Sequence, residues 1–99
     1  MDHTKYLSIQ QICHSYQVSP SLLVAMEEYE LIEIEYPNEE EGYLGIDELS
    51  KLERLLRLNQ DLDINVAGLC VVHELLEERK TLREELKRLR RQMERLSGF

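Results

Sequence analysis

The chain has 99 residues, of which 42% are hydrophobic and 32% charged, with a net charge of −8. This composition predicts one small globular domain and excludes a disordered or collagen-like chain. Its apolar runs are far shorter than the roughly 20 residues needed to cross a bilayer, its N-terminus lacks a signal-peptide pattern, and two cysteines are too few for a disulfide framework. We therefore expect a cytoplasmic protein that does not engage membranes.

The two signs of charge are segregated along the sequence. Residues 1–50 hold eleven acidic side chains and a single basic one, Lys5, which gives a balance of −10. Residues 67–99 hold eight basic and six acidic side chains, a balance of +2. An acidic half repels phosphate and attracts basic protein surfaces. It also keeps a small protein in solution, so both interpretations stay open at this point.

Two helix-start signals lie near the N-terminus. Ser8 and Gln11 match a capping box, which predicts a short helix over 8–15. Ser19 followed by Pro20 starts a second helix, in which apolar residues recur every three or four positions. The tight turn between them predicts a helix-turn-helix.

A pair of short strands is predicted to follow. Ile32, Ile34 and Tyr36 alternate with glutamates, which is the period-two pattern of a half-buried strand. The turn-rich segment 37–42 then leads to a second strand over 43–46. Because an isolated hairpin is barely stable in water, we expect its apolar face to pack on the helices as a two-stranded β-wing.

Two further helices complete the predicted fold. Asp47 is the expected N-cap of a helix over 48–60 with a broad leucine stripe. Asn65 is the expected N-cap of a last helix from 66 to about 96, on the order of 45 Å long at ~1.5 Å per residue. The fold class is mainly helical.

The second half of the last helix carries a heptad ladder that only Arg79 interrupts. Such a seam, on a helix that extends past a small body, needs a partner, so we expect a homodimer; the alternative is a helix folded back on its own core. The predicted dimerisation residues are Leu75, Leu82, Leu86, Leu89, Met93 and Leu96. The sequence thus divides into an acidic winged helix-turn-helix-like domain over 1–62 and a long C-terminal helix over 63–99, which we expect to form a dimerisation coiled coil.

The sequence predicts no catalytic, metal or cofactor site. The four glycines fit no phosphate-binding loop and the serines lack a nucleophile-elbow context. Cys13, His14, Cys70 and His73 are zinc-ligand residue types, but their spacing is not typical of a metal site and the cysteines fit a core role better. We expect a protein that is not an enzyme.

The order of these elements resembles the MerR type of winged DNA-binding module. The resemblance rests on the segments 8–17, 18–20, 27–32, 49–55 and 62–64. DNA-binding proteins of that type carry arginines on the second helix and the wing, where this chain carries glutamates. Because affinity for DNA comes from Lys and Arg contacts to phosphate, the charge argues against nucleic acid as a partner. A MerR-like DNA-binding transcriptional regulator is the alternative function.

The chain resembles the chaperone modulator CbpM family in its inverted charge, its length and its Leu/Arg/Glu-rich segment 82–96. Residues 62–69 are similar to the bend of that family and the apolar helix that follows it. This resemblance implies binding to the J-domain of a DnaJ-like co-chaperone (CbpA type), which inhibits co-chaperone activity by competing with DnaK. It implies no catalytic chemistry.

An acidic surface would meet a basic J-domain helix by charge complementarity, and a few apolar anchors would supply most of the affinity. We expect glutamates to steer the encounter and one leucine and three tyrosines to act as anchors. The predicted partner-binding residues are Leu22, Glu27, Glu28, Tyr29, Glu30, Glu33, Glu35, Tyr36, Glu39, Glu40, Glu41 and Tyr43.

Overall fold

A computed structural model describes residues 5–98. Residues 1–4, where a signal peptide would begin, lie outside the described residues, as does residue 99. The elements in chain order are β1 (Tyr6–Ser8), α1 (Ile9–Tyr16), α2 (Pro20–Glu28), β2 (Ile34–Glu35), β3 (Tyr43–Gly45), a 3₁₀ turn (Ile46–Glu48), α3 (Leu49–Leu62) and α4 (Val66–Leu96). The expected winged helix-turn-helix fold with a long last helix is confirmed.

Side-chain caps define three of the helix starts. The Ser8 hydroxyl accepts the Gln11 backbone N–H at 3.1 Å, and the Gln11 side chain accepts the Ser8 backbone N–H at 3.0 Å, which completes the predicted capping box. Ser19 and Asn65 accept backbone N–H groups in the first turns of α2 and α4, at 3.3 and 2.8 Å. Three of the four predicted caps, Ser8, Ser19 and Asn65, are thus confirmed.

The sheet has three strands, not the two expected of the wing. The central strand β3 pairs antiparallel with β2, as predicted, and also with β1, in the order β1-β3-β2. Ser8 and Glu35 face Tyr43 from its two sides. The additional strand forms because β1, just before α1, pairs with β3, which lies far from it in the sequence. No local pattern indicates this long-range pairing.

The wing and the third helix begin later than predicted. Leu31 and Ile32 lie in the bend that follows the end of α2, and β2 is confined to Ile34–Glu35. Asp47 is not the cap of α3: it lies inside the 3₁₀ turn, and α3 starts at Leu49 without a side-chain cap. α3 then continues to Leu62, two residues beyond the predicted end.

One hydrophobic core joins every layer of the fold. The inward side of the sheet contributes Ile34 and Leu44, and α2 contributes Leu23 and Met26. The remaining buried apolar residues are Ile12, Leu31, Ile32, Leu52, Leu55, Leu56 and Leu69. Because Leu69 belongs to α4, the first turns of the long helix are anchored in the same core that holds the wing.

The rest of α4 projects from this body. Its 31 residues span about 46 Å at 1.5 Å per residue. The radius of gyration of the Cα atoms is 18.0 Å, against the ~13 Å typical of a compact chain of this length. Within residues 5–98, no helix has both the length and the apolar character required to span a bilayer.

We predict that Leu69→Ala lowers the free energy of unfolding by about 2–5 kcal/mol, because it opens a cavity where α4 joins the core. Leu62→Ala is the matched control: Leu62 is 64% exposed at the end of α3, and its loss should cost less than about 0.5 kcal/mol. Urea unfolding monitored by circular dichroism measures both, and equal effects would show that α4 is not anchored through Leu69.

Candidate partner-binding face

Three tyrosines meet on the solvent side of the sheet. The pleat that sends Leu44 inward turns Tyr43 outward, and the register places Tyr6 diagonally across from it on β1. With Glu35, Tyr36 and Pro37 they line a groove of about 480 Å³, which we name the tyrosine groove. Tyr6 and Tyr36 are 41% and 47% exposed.

Gly42 allows the ring of Tyr36 to lie against the sheet. A Cβ atom at position 42 would lie 2.7 Å from Cγ2 of Ile34, 3.0 Å from Cε1 of Tyr36 and 3.2 Å from Cγ1 of Ile9. The carbonyl oxygen of Gly42 also accepts the Ile9 backbone N–H at 2.9 Å, which ties the end of the wing loop to the start of α1. Because Gly42 has no side chain, the ring of Tyr36 can approach the core residue Ile34 at this position. The hydrogen bond to Ile9 holds this part of the groove wall in place.

A second concavity lies beside the groove and is lined by glutamates. Glu27, Glu30, Glu33 and Glu48 surround a hollow of about 390 Å³, which we name the acidic hollow. Lys51 also lines it, but its ammonium lies 3.4 Å from a carboxylate oxygen of Glu48. The same carboxylate accepts the Glu33 backbone N–H at 3.2 Å. The hollow therefore carries a clear excess of negative charge.

A hydrogen bond joins the two concavities into one surface, which we name the acidic face. The Tyr36 hydroxyl donates to Oε1 of Glu27 at 3.1 Å, so one ring contributes to the groove while its oxygen reaches the wall of the hollow. Partial burial and this carboxylate raise the pKa of Tyr36 above its ordinary value, because both disfavour the phenolate.

Glu30 has a left-handed backbone, with φ of 61°. It follows the end of α2, where its N–H donates to the Glu27 carbonyl at 2.8 Å and the Leu31 N–H donates to the Met26 carbonyl at 2.9 Å. This is the Schellman arrangement, which usually takes glycine at the left-handed position. A residue with a side chain in this conformation costs about 1–2 kcal/mol of stability relative to glycine. The Glu30 carboxylate therefore lines the hollow despite an unfavourable backbone conformation.

The run of three glutamates lies in the wing loop, as predicted. The Asn38 side chain accepts the backbone N–H groups of Glu40 and Glu41 at 3.3 and 3.4 Å, which shapes the turn. Glu39 and Glu40 are exposed and Glu41 is half-buried. These side chains add negative charge beyond the edge of the groove.

The acidic face gathers some of the predicted partner-binding residues and leaves others apart. Those that line it are Glu27, Glu30, Glu33, Glu35, Tyr36 and Tyr43. Leu22 is half-buried against the core, and Glu28 is exposed at the end of α2. Tyr29 is the C-cap of α2, and its carbonyl oxygen accepts a hydrogen bond from the Cys70 thiol at 3.7 Å. As a group, the twelve residues stay a prediction.

Three lining residues are absent from the predicted set: Tyr6, Pro37 and Glu48. Tyr6 enters the groove through β1, a strand whose three residues give too short a pattern to recognise. A weak signal is present, since Tyr6 and Ser8 alternate with the apolar Leu7. Glu48 reaches the hollow only because the 3₁₀ turn brings it next to Glu33.

The two cysteines pack at the margin of the core. Cys13 and Cys70 are half-buried and unpaired to each other, and burial raises the pKa of the Cys13 thiol. Within residues 5–98, no group of three or more His, Cys, Asp or Glu side chains is arranged to hold a metal ion.

The predicted dimerisation residues form an exposed apolar stripe along α4. Leu86 and Leu89 are about half exposed, while Leu82 and Met93 are 63% and 69% exposed. Leu75 and Leu96 are also exposed at the two ends of the stripe. We name this stripe the α4 seam; in the single chain it faces solvent.

The family profile described as MerR HTH family regulatory protein matches residues 7–91. The match begins in β1 and extends through the helix-turn-helix, the wing and α3 into most of α4, so it covers the acidic face and much of the α4 seam. Comparison with curated proteins gave no match.

We predict that alkaline pH destabilises the protein partly through two tyrosines. The pKa of Tyr16 is raised by its hydrogen bond to Glu53, then by burial and by the charge of that carboxylate, and the pKa of Tyr36 is raised as described above. A raised pKa contributes stability that is complete below the unfolded value of about 10 and is lost as pH rises through the folded value.

Tyr16→Phe and Tyr36→Phe should therefore each flatten the decline in stability above about pH 10, and the double variant should flatten it most. Urea midpoints measured at intervals from about pH 8 to 11.5 give the comparison. A decline as steep in the double variant as in the wild type would contradict the prediction.

Proposed function

Because the chain belongs to the MerR HTH family of regulatory proteins, we propose that it regulates by binding a basic protein surface, namely the J-domain of a DnaJ-like co-chaperone of the CbpA type. The proposal is that the acidic face occupies the basic helix with which a J-domain engages DnaK. Occupied J-domain is then withheld from DnaK, and co-chaperone activity falls.

The main support for this proposal is the negative charge of the surface with which DNA-binding proteins of the MerR type contact DNA. Residues 6–50, which include α1, α2 and the wing, contain no Lys or Arg. Binding DNA at ordinary salt needs several cationic contacts to phosphate, and glutamates at those positions repel it. A cationic protein helix has the complementary sign.

The shape of the acidic face supports a protein partner as well. The tyrosine groove offers large amphipathic side chains of the kind that dominate interface energetics, and the acidic hollow beside it supplies the charge that accelerates encounter.

The alternative function, a MerR-like DNA-binding regulator, is favoured by the family match. Its cations would have to come from α4, where residues 79–95 include eight Lys and Arg. That arrangement would leave the helix-turn-helix without a role in DNA contact. Fluorescence anisotropy with labelled genomic fragments at low salt separates the two functions, and specific capture of one duplex would overturn the J-domain proposal.

We predict that Glu33→Lys combined with Glu35→Lys slows association with a purified CbpA-type J-domain about tenfold or more at low salt, because it reverses the charge at the centre of the acidic face. The difference should shrink at high salt, where surface charges are screened. Surface plasmon resonance at two salt concentrations measures the association rate.

The matched control for that experiment is Asp61→Lys combined with Glu94→Lys. It changes the net charge equally at exposed positions on α3 and α4, outside the acidic face, and should alter the rate less than about threefold. Equal slowing by both pairs would attribute the effect to net charge alone and remove the role of the acidic face.

We further propose that the protein is a homodimer joined through the α4 seam, with 63–99 as the pairing segment and 1–62 as the partner-binding domain. A heptad stripe of exposed leucines is stabilised when knobs of one helix fill the holes of another.

We predict that Leu82→Glu combined with Leu89→Glu converts the dimer to the 11.8 kDa monomer, because it places charges in an apolar seam. Lys87→Glu changes the net charge by the same two units away from the seam and should leave the dimer intact. Sedimentation velocity decides: a monomeric wild type, or a dimeric double variant, would contradict the prediction.

A further inference from the structure

We infer that the tyrosine groove receives the guanidinium group of an arginine on the partner's basic surface. The inference rests on the proposed function and assigns it a specific contact. It makes Tyr6, which was absent from the predicted partner-binding residues, a binding residue together with Tyr36 and Tyr43.

The walls of the groove favour a cation. Three phenol rings line it, and the face of each ring carries the negative part of an aromatic quadrupole. Glu35 adds a full negative charge in the same wall, directly opposite Tyr43 across the β2–β3 pair. A cation held against rings and a carboxylate gains from both, and partial removal of water strengthens each contribution.

The residues around the tyrosine groove are also mainly negatively charged. The Tyr36 hydroxyl donates a hydrogen bond to Glu27, so the groove adjoins the acidic hollow and its four glutamates. Lys5 precedes β1 and Lys51 is paired with Glu48, and no Lys or Arg occurs between them in the sequence. An apolar side chain in the groove would remove water from the Glu35 carboxylate without compensation, which is costly.

Arginine fits this site better than lysine. A guanidinium group is planar, so it can stack on a tyrosine ring while its edge donates two parallel hydrogen bonds to a carboxylate. It is also less strongly hydrated than an ammonium group and loses less on leaving water. The groove volume of about 480 Å³ accommodates the long side chain with part of its backbone.

The first test uses small probes and the full-length protein. N-acetyl-arginine amide, the lysine analogue and the uncharged citrulline analogue are titrated while the ring resonances of the five tyrosines are followed by NMR. We expect the arginine amide to shift the rings of Tyr6, Tyr36 and Tyr43 in a saturable way, the lysine amide to act more weakly, and the citrulline amide to have no effect. Tyr16 and Tyr29 line neither concavity and serve as internal references.

The second test measures affinity for the purified J-domain. Tyr43→Leu keeps an apolar side chain but removes the ring, and should weaken binding about 2- to 30-fold, the range of a cation–π contact. Tyr43→Phe keeps the ring and should stay within about twofold. Tyr16→Phe, outside the groove, is the second control. Circular dichroism and thermal unfolding verify that each variant is folded.

The outcomes separate this inference from the proposed function. If the J-domain binds while the arginine amide shifts no groove ring and Tyr43→Leu binds normally, the arginine contact is wrong and the function stands. If the amide shifts the three rings and the J-domain does not bind, the function is wrong and the cation site stands. Equal shifts by the arginine and citrulline amides would overturn the inference in favour of a neutral ligand. Ring shifts caused by diluting the protein alone would overturn it in favour of a second copy of this chain.

Discussion

The pleat of β3 couples the interior of this protein to its proposed binding surface. Leu44 enters the core, while Tyr43, its neighbour in the chain, turns to solvent between β1 and β2. Because side chains alternate with a period of two, a slip of one residue would exchange these roles and lose the core and the groove together. Hydrogen-bonded strands on both sides of β3 make such a slip costly. The groove is therefore as well defined as the hydrophobic packing beneath it.

The fold and the function have separate physical origins in this chain. Apolar side chains on α2, α3, the sheet and the first turns of α4 produce a winged helix-turn-helix that does not depend on the charge of the exposed positions. The exposed positions decide what the scaffold can bind. In this chain they carry glutamates, where a DNA-binding protein needs arginines. Family membership accounts for the scaffold, and the acidic face argues for a different partner.

The sequence predicts best what is local. The caps Ser8, Ser19 and Asn65 and the bounds of α4 are confirmed, since each depends on residues within one helical turn. β1 is missed because its hydrogen bonds go to a strand more than thirty residues away. Asp47 has the residue type of a cap, but it lies inside a 3₁₀ turn that begins directly after β3, and α3 starts two residues later.

The same distinction applies to the candidate site. The alternation of Ile34 and Glu35 predicts which side faces solvent, and the glutamates of the wing loop are where the pattern places them. The pattern also predicts Tyr36 on the buried side, yet its ring lies exposed over Gly42 because β2 has already ended. Which tyrosines converge depends on the three-stranded register, and that information is not local.

Gly42 also limits where this protein can vary. Residues 37–40 of the wing loop before it are exposed, and surface loops of this kind tolerate changes of side chain more readily than packed segments do. At Gly42 that freedom ends, because even one methyl group would collide with Ile34 and press on the ring of Tyr36. The wing can therefore vary in the exposed side chains of its loop, whereas Gly42, which closes the loop, is constrained both by this packing and by the hydrogen bond that its carbonyl accepts from Ile9.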